Sequence, residues 1–289
     1  MPLIALTNDK LFLEISPEMG GSITKFQNLK SKKNIFRPFS NKKKIIKKNC
    51  YFASYFATVP YFGAIQKKSF LYKNKFISLP KTHPLEPDTI HGEGWVSKWK
   101  VKSKSTSSTE LVFNHHGKKG FPFKYQVNQQ FILKNKSLCI NISIVNKDKE
   151  SFNCGIGFHP WFNIHKNSKI YSNNFSYIEE HKKNIFKKKL FSNKKFLDLN
   201  KYKIDKTFIN WNGRSKLTID KDTAIEIINI KNIDNLHVYS PPKENFFCIE
   251  PVTNIGDAYN IKKHSTIYQG LKELKSNKKF EAKVEFRLI

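Results

Sequence analysis

Two histidines stand among glycine, proline and aromatic residues, which sets them apart from a lysine-rich background. His159 lies in Gly157-Phe158-His159-Pro160-Trp161, where proline fixes the backbone and the aromatic rings would partly desolvate the imidazole. His91 precedes Gly92-Glu93-Gly94-Trp95, whose glycines permit tight turns next to an apolar ring. Either imidazole could carry a proton near neutral pH, or could equally brace a loop or lie satisfied in the core.

Two carboxylates have similarly distinctive surroundings. Glu250 follows the apolar run Phe246-Phe247-Cys248-Ile249 and precedes Pro251. Because burying an unpaired carboxylate costs several kcal/mol, Glu250 needs a partner, in either a structural ion pair or a functional site. Asp205 stands before Lys206-Thr207, which by itself is an ordinary turn pattern.

The elements that must position these residues are strands. Apolar residues recur with period two in several segments, which is typical of strands with one buried face. These segments are Leu11 to Ile15, Leu111 to Phe113, Tyr125 to Leu133, Ile140 to Ile144, Ala224 to Ile230, His237 to Tyr239 and Val284 to Leu288. The only short candidate for a helix, Leu271 to Leu274, could equally be a loop. We therefore predict an all-β protein, a large antiparallel β-sandwich that forms a single domain over residues 1–289.

Charge is the most unusual feature of the composition. Lys+Arg number 52 against 23 Asp+Glu, a formal net charge of +29, which would attract nucleic acid. Arginine, whose planar donors suit base and phosphate recognition, occurs only at positions 37, 214 and 287. Because the lysines are spread along the whole chain, we predict no specific nucleic-acid partner, and solvated loops or exposed strand faces at Lys42 to Lys48 and His181 to Lys195.

The four cysteines are far apart and form no C-x-x-C pair, which predicts buried reduced thiols rather than a zinc or redox site. We predict no metal and no cofactor. No apolar run reaches the ~20 residues of a membrane-spanning helix, and no secretory signal is visible, so we expect a cytoplasmic protein without a membrane partner.

Taken in order, the motifs resemble the aldose 1-epimerase (galactose mutarotase) family. The matching pieces are Pro60-Tyr61, His91-Gly92, Gly94-Trp95, Gly157 to Phe162, Asp205 with Phe208, Trp211-Asn212-Gly213, Tyr239-Ser240-Pro241, Cys248 to Thr253 and Asp257 to Asn260. The resemblance implies a β-sandwich with a sugar cleft across one sheet. It also implies interconversion of the α and β anomers of a small-molecule aldose by acid and base catalysis, without a cofactor.

By similarity, Glu250 corresponds to the general base and His159 to the general acid at the ring oxygen. His91 would hydrogen-bond the sugar near that oxygen, Asp205 would bind sugar hydroxyls, and Trp161 would line the cleft. We expect Glu250 to be ionised, with an ordinary pKa near ~4.3, and a nearby carboxylate to raise the pKa of His159 above ~6.5.

One departure concerns substrate binding. Where many members of the family have an arginine, this chain has Ala64, and Gln66 or Lys67 could compensate only in part because neither has a rigid guanidinium fork. Two alternatives stay open: a mutarotase for hexose 6-phosphates, which the positive charge would attract, and a non-catalytic carbohydrate-binding protein, which the loss of the arginine at Ala64 suggests. The chain is expected to be a monomer or a homodimer.

Overall fold

Period-two segments form strands throughout the computed structural model, which describes residues 2–39, 50–84, 86–117, 120–182, 185–192, 195–261 and 269–289. The strands, in chain order, are β1 (Ile4–Thr7), β2 (Leu11–Ser16), β3 (Ser22–Asn28), β4 (Tyr55–Thr58), β5 (Ala64–Ile65), β6 (Ser69–Tyr72), β7 (Lys75–Ser78), β8 (Thr89–Ile90), β9 (Lys100–Lys104), β10 (Ser108–His116), β11 (Lys124–Lys134), β12 (Ser137–Asn146), β13 (Phe152–Cys154), β14 (Gly157–Asn163), β15 (Lys169–Tyr171), β16 (Ser176–Lys182), β17 (Ile185–Leu190), β18 (Phe196–Asp198), β19 (Asp205–Ile209), β20 (Arg214–Thr218), β21 (Ala224–Lys231), β22 (Asn235–Tyr239), β23 (Phe246–Val252), β24 (Lys272–Leu274) and β25 (Lys279–Leu288). Within the described ranges the helical elements are three 3₁₀ turns, at Cys50–Phe52, Gln66–Lys68 and Gly94–Val96.

Two large antiparallel sheets make up most of the fold. The first has ten strands in the order β1-β2-β3-β4-β14-β23-β22-β19-β16-β17, and the second has nine in the order β18-β15-β20-β21-β25-β12-β11-β10-β9. Three two-stranded ribbons, β13-β24, β5-β8 and β6-β7, complete the described strands. The prediction of an all-β antiparallel sandwich is confirmed.

The core lies between the two sheets, where the alternating apolar side chains of each sheet meet. In β11, every second residue from Tyr125 to Leu133 is buried and those between are partly exposed. Tyr55 of the ten-stranded sheet meets Phe131 of the nine-stranded sheet edge to face, with ring centroids 6.1 Å apart. One buried face on each sheet leaves the opposite face of the ten-stranded sheet free to carry polar residues.

Lysines occupy two sheet edges. All five residues of β9, which ends the nine-stranded sheet, are exposed, as are Lys187 to Leu190 of β17, which ends the ten-stranded sheet. Charged edge strands resist pairing with other chains, so part of the positive charge has a structural role. The predicted exposed face within His181 to Lys195 is confirmed at Lys187 to Leu190, whereas Lys42 to Lys48 lies outside the described residues.

Other predictions can be compared directly with the structure. Leu271 to Leu274, considered as a helix or a loop, instead supplies strand β24, which pairs with β13. All four cysteines are free and buried, as predicted. The described part of the chain contains no helix long and apolar enough to cross a membrane.

Candidate active site

Strand register brings a row of polar and aromatic side chains together on the ten-stranded sheet. His159 of β14 pairs with Phe56 of β4, and His237 of β22 pairs with Glu250 of β23 and with Thr207 of β19. Between β14 and β23, the pairs Gly157–Val252 and Trp161–Cys248 set a register that places His159 opposite Glu250. Five adjacent strands thus present Phe56, His159, Glu250, His237 and Thr207 side by side.

A second row lies two residues further along the same strands. Trp161 pairs with Cys248, Cys248 with Tyr239, and Tyr239 with Asp205. Because side chains two residues apart in a strand share a face, this row adjoins the first.

The two rows form most of one wall of a cleft of about 480 Å³, within the size range of small-molecule sites. The five residues singled out from the sequence, His91, His159, Trp161, Asp205 and Glu250, all line this cleft. Side chains from widely separated parts of the chain therefore converge on one site.

His159 and Glu250 are in direct contact at the buried end of the cleft. Nε2 of His159 lies 3.3 Å from Oε1 of Glu250, and the two side chains are 5% and 2% exposed. The thiol of Cys248 donates a hydrogen bond to the same Oε1 at 3.0 Å. Nδ1 of His159 and Oε2 of Glu250 are buried without a hydrogen-bond partner among the described residues. Unpaired buried polar atoms are costly, and they are typical of sites that act on a ligand.

Burial governs the protonation of this pair. Desolvation lowers the pKa of His159 well below its ordinary value, and the nearby His91 and His237 lower it further. Desolvation also raises the pKa of Glu250 well above its ordinary value, although the hydrogen bond from Cys248 opposes this. The expectations of a raised His159 pKa and an ordinary Glu250 pKa are therefore wrong, because neither charged form is solvated in this apolar surrounding.

His91 is held over the pair by a tight loop after β8. Its φ is 61°, followed by 68° at Gly92, where a Cβ would lie 2.3 Å from the carbonyl oxygen of Val59. The amide of Gly63 donates to Nδ1 of His91 at 3.1 Å, and the amide of His91 donates to the carbonyl of Gly63 at 3.0 Å. With Nδ1 accepting, the neutral ring carries its proton on Nε2. Burial lowers the pKa of His91 to about 3, so this ring stays neutral.

Glu93, from the same glycine-flanked segment, belongs to a different pair. Its Oε2 lies 2.7 Å from Nε2 of His115, and Nδ1 of His115 is 2.9 Å from the carbonyl oxygen of Phe123. These two residues do not line the cleft, so Glu93 braces the loop that carries His91.

His237 is a titratable residue of the cleft lining that the sequence analysis did not identify as a site residue. Its Nδ1 is 2.9 Å from Oγ1 of Thr207, while its Nε2 lies 3.6 Å from Oδ1 of Asp205 and 4.0 Å from Oε1 of Glu250. Burial lowers its pKa to about 4 although Asp205 opposes the shift. Asp205 itself is 75% exposed, at the open rim. His237 thus links the buried pair to the rim of the cleft.

An aromatic wall closes one side. Trp161 packs on His159, with ring centroids 4.8 Å apart, and the guanidinium carbon of Arg37 lies 4.9 Å from the Trp161 ring. Phe56 packs on the other side of His159 at 4.2 Å. These rings fix the imidazole and offer flat apolar surface to a ligand.

Ala64, at the position where many members of the family have an arginine, lines the cleft. Neither Gln66 nor Lys67 is among the described residues of the lining. The cation in the described lining is Lys206, whose Nζ lies 3.9 Å from Glu179 and 4.7 Å from the centre of the Tyr177 ring. The described lining therefore gives no support for compensation by Gln66 or Lys67, which stays a prediction.

The cleft also contains a set of donors that could hold a metal ion. His159, Cys248 and Glu250 each offer one ligand atom, and these atoms lie within 4.8 Å of one another. The spacing in the sequence concealed this set, because two of its members lie on β23 and the third on β14.

The two large sheets define an antiparallel β-sandwich with a cleft lined by histidines and carboxylates, and comparisons with known proteins assign its family. The family model for aldose 1-epimerase matches residues 2–287. The uncharacterized protein YphB of Escherichia coli (strain K12) is 23% identical over 222 residues, which are 72% of this chain and 76% of that protein. The chain belongs to the aldose 1-epimerase family.

Solved structures share the fold. A candidate aldose 1-epimerase from Escherichia coli K12 has a TM-score of 0.84 at 22% identity, covering 100% of this chain and 99% of that chain. A galactose mutarotase-like protein from Lactobacillus casei ATCC 334 has a TM-score of 0.82 at 16% identity, covering 100% of both chains.

Proposed function

We propose that this protein is an aldose 1-epimerase that interconverts the α and β anomers of a free hexose. The main support is the 3.3 Å separation of His159 Nε2 and Glu250 Oε1 at the buried end of an open cleft. Two proton carriers in contact suit a reaction in which the two reacting oxygens are bonded to the same carbon. Membership of the aldose 1-epimerase family also supports the proposal, because the family is named for this isomerase activity.

The reaction requires two proton transfers and one bond cleavage. Glu250, as carboxylate, removes the proton of the anomeric hydroxyl while His159, as imidazolium, protonates the ring oxygen. The bond between C1 and the ring oxygen then breaks, leaving an open-chain aldehyde. After rotation about the C1–C2 bond, the two groups return the protons in reverse and the ring closes on the other face.

The pair can begin this cycle in either of two forms with the same number of protons. Burial favours the uncharged form, a Glu250 carboxyl beside a neutral His159. Transfer of that proton across the 3.3 Å contact gives the carboxylate and imidazolium that the reaction uses. Sugar hydroxyls that hydrogen-bond the carboxylate would stabilise the charged form, so substrate itself promotes the active state.

The remaining cleft residues would bind and orient the sugar. His91, with its proton on Nε2, can donate to a sugar oxygen, and the exposed Asp205 can accept from hydroxyls at the rim. Trp161 offers a flat surface for the C–H face of the ring.

A free sugar fits the lining better than a phosphorylated one. The cation in the described lining, Lys206, already lies near Glu179 and over Tyr177, which leaves it poorly placed for a phosphate. Anomerisation rates measured side by side for glucose and glucose 6-phosphate test this choice. Turnover of the phosphate alone would contradict it.

Polarimetry on freshly dissolved α-glucose or α-galactose tests the activity. We expect the wild-type protein to accelerate mutarotation and Glu250→Gln to slow it by ~10²-fold or more. Glu285→Gln is the matched control, because it alters another buried glutamate, on β25 of the other sheet, and its rate should stay within about twofold of wild type. A wild-type rate equal to the spontaneous rate, with sugar bound, would instead identify a carbohydrate-binding protein.

A further inference from the structure

Three potential metal ligands of different chemistry meet at the buried end of the cleft. Sγ of Cys248 and Nε2 of His159 lie 3.0 Å and 3.3 Å from the same oxygen, Oε1 of Glu250. Around a tetrahedral zinc ion with bonds of about 2.0–2.3 Å, ligand atoms are separated by roughly 3.3–3.7 Å. All three ligand atoms lie within 4.8 Å of one another, so side-chain adjustments would let them share one ion.

From this arrangement we infer that Cys248, His159 and Glu250 form a binding site for Zn²⁺, and that the bound ion inhibits the protein. The three protein ligands leave a fourth tetrahedral position for water or a sugar hydroxyl from the cleft. Inhibition rests on the proposed function, whereas metal binding does not.

Charge balance favours such an ion. A thiolate from Cys248 and a carboxylate from Glu250 would carry two negative charges against the two positive charges of Zn²⁺, with His159 as a neutral third ligand. The buried site would then carry no net charge and would avoid the cost of an uncompensated ion.

The donor set selects the class of metal. A thiolate and an imidazole suit zinc and neighbouring transition metals, while Mg²⁺ and Ca²⁺ prefer sets made only of oxygen. The surroundings also support the ligands, since Phe56 and Trp161 pack against the His159 ring and hold its orientation.

Zinc would block the reaction directly. The lone pairs that bind the metal, on Nε2 of His159 and Oε1 of Glu250, are the same ones that accept protons in the proposed cycle. Neither group can exchange a proton with the sugar while it is coordinated. The fraction of activity lost should therefore equal the fraction of sites that hold zinc.

Direct binding can be measured on untagged, reduced wild-type protein without any variant. Co²⁺ added as a probe should give tetrahedral d–d absorption and a thiolate-to-cobalt charge-transfer band, both abolished by one equivalent of ZnCl₂. A cobalt spectrum without the thiolate band, or the lack of any spectrum, would overturn the inference whether or not the protein proves to be a mutarotase.

Cysteine variants test the identity of the ligand. Cys248→Ser keeps a donor to Glu250 and removes the sulfur ligand, so it should weaken zinc binding by ~100-fold or more. Cys139→Ser changes a buried cysteine on β12, in the other sheet, and should bind zinc like wild type. Zinc inhibition is expressed relative to the zinc-free rate of each variant, so changes in the basal rate do not affect the comparison. Equal sensitivity of Cys248→Ser and wild type would overturn the inference.

Discussion

Two of the histidine–glutamate contacts in the described structure use the same functional groups in opposite ways. In the loop pair, Oε2 of Glu93 is 2.7 Å from His115 and the glutamate is 29% exposed. In the cleft pair, Oε1 of Glu250 is 3.3 Å from His159 and the glutamate is 2% exposed. Desolvation lowers the His115 pKa, but the hydrogen bond and charge of Glu93 outweigh it and the net shift is upward. For His159 the net shift is downward.

Solvent access and hydrogen-bond completeness explain the difference. Water reaches the Glu93 carboxyl, whose hydrogen bond and charge raise the pKa of His115, and the other ring nitrogen of His115 faces the carbonyl of Phe123. The cleft pair is shielded from water and leaves Nδ1 of His159 and Oε2 of Glu250 without partners in the described structure. A satisfied pair stabilises a loop, whereas an unsatisfied, desolvated pair is suited to pass protons to a ligand.

The largest expected effect comes from exchanging each histidine for asparagine. His159→Asn removes the group that protonates the ring oxygen and should slow mutarotation by ~10²-fold or more. His115→Asn should leave the rate within about threefold, because His115 lies outside the cleft. Initial rates from polarimetry, with folding checked by near-ultraviolet circular dichroism, measure both.

Equal losses in the two variants would contradict the assignment of separate roles to the two pairs. Normal turnover in His159→Asn would reject His159 as the acid.

The pH dependence of turnover should also reflect the buried pair. With the His159 pKa lowered and the Glu250 pKa raised, the pair holds a single proton over the whole interval between the two values. An acid with the ordinary histidine pKa of ~6.5 would be about 50% protonated at pH 6.5 and only about 3% protonated at pH 8, a loss of ~16-fold in rate. We expect the rate at pH 8 to stay within about threefold of that at pH 6.5.

The other titratable groups of the cleft should not disturb this measurement. His91 and His237, with pKa values lowered to about 3 and about 4, stay neutral between pH 6.5 and 8, and burial keeps the Cys248 thiol protonated. The quantity compared across pH is kcat/KM, after the spontaneous rate of mutarotation at each pH has been subtracted. A fall of ~16-fold from pH 6.5 to pH 8 would show that the imidazole has an ordinary pKa.

Sequence patterns predicted the strands and the two members of the cleft pair, because His159 and Glu250 each interrupt an otherwise apolar segment. His237 was missed, since it alternates with the buried Leu236 and Val238 and so resembles any half-exposed strand residue. Only its register with β23 brings it to Glu250, and pairing between distant strands cannot be read from one sequence.

Two further features illustrate the same limit. The contact of Cys248 with Glu250 could have been predicted, because residues two apart in a strand share a face. The direction of the pKa shifts of His159 and Glu250 could not have been predicted, since it depends on how completely β4, β14 and β22 exclude water from Glu250. Local pattern predicts which residues share a face, and tertiary packing decides how their charges behave.

Asp205, at the rim of the cleft, combines features of the exposed loop pair and the buried cleft pair. Asp205 is 75% exposed, yet its Oδ1 lies 3.6 Å from His237. Because an exposed carboxylate can bind hydroxyls but lies away from the buried pair, Asp205→Asn should raise KM by ~10-fold and change kcat by less than about threefold. Saturation curves for galactose and glucose measure both constants. A loss confined to kcat would place Asp205 in the proton transfer instead.

The smallest expected effect is on stability, at the loop pair. The folded pKa of His115 is raised, so its pairing with Glu93 stabilises the protein below the unfolded value of ~6.5 and this contribution disappears as pH rises through the folded pKa. Glu93→Gln should therefore cost about 1 kcal/mol at pH 5.5 and less than half of that at pH 9, since the carboxylate is partly solvated. Urea unfolding of variant and wild type at both pH values gives the difference in their free energies of unfolding. The buried cleft histidines are the same in both proteins, so their contribution cancels in this difference. A loss of stability from Glu93→Gln that is larger at pH 9 than at pH 5.5 would mean that His115 is neutral in the folded protein. The loop pair and the cleft pair would then differ only in their hydrogen bonds.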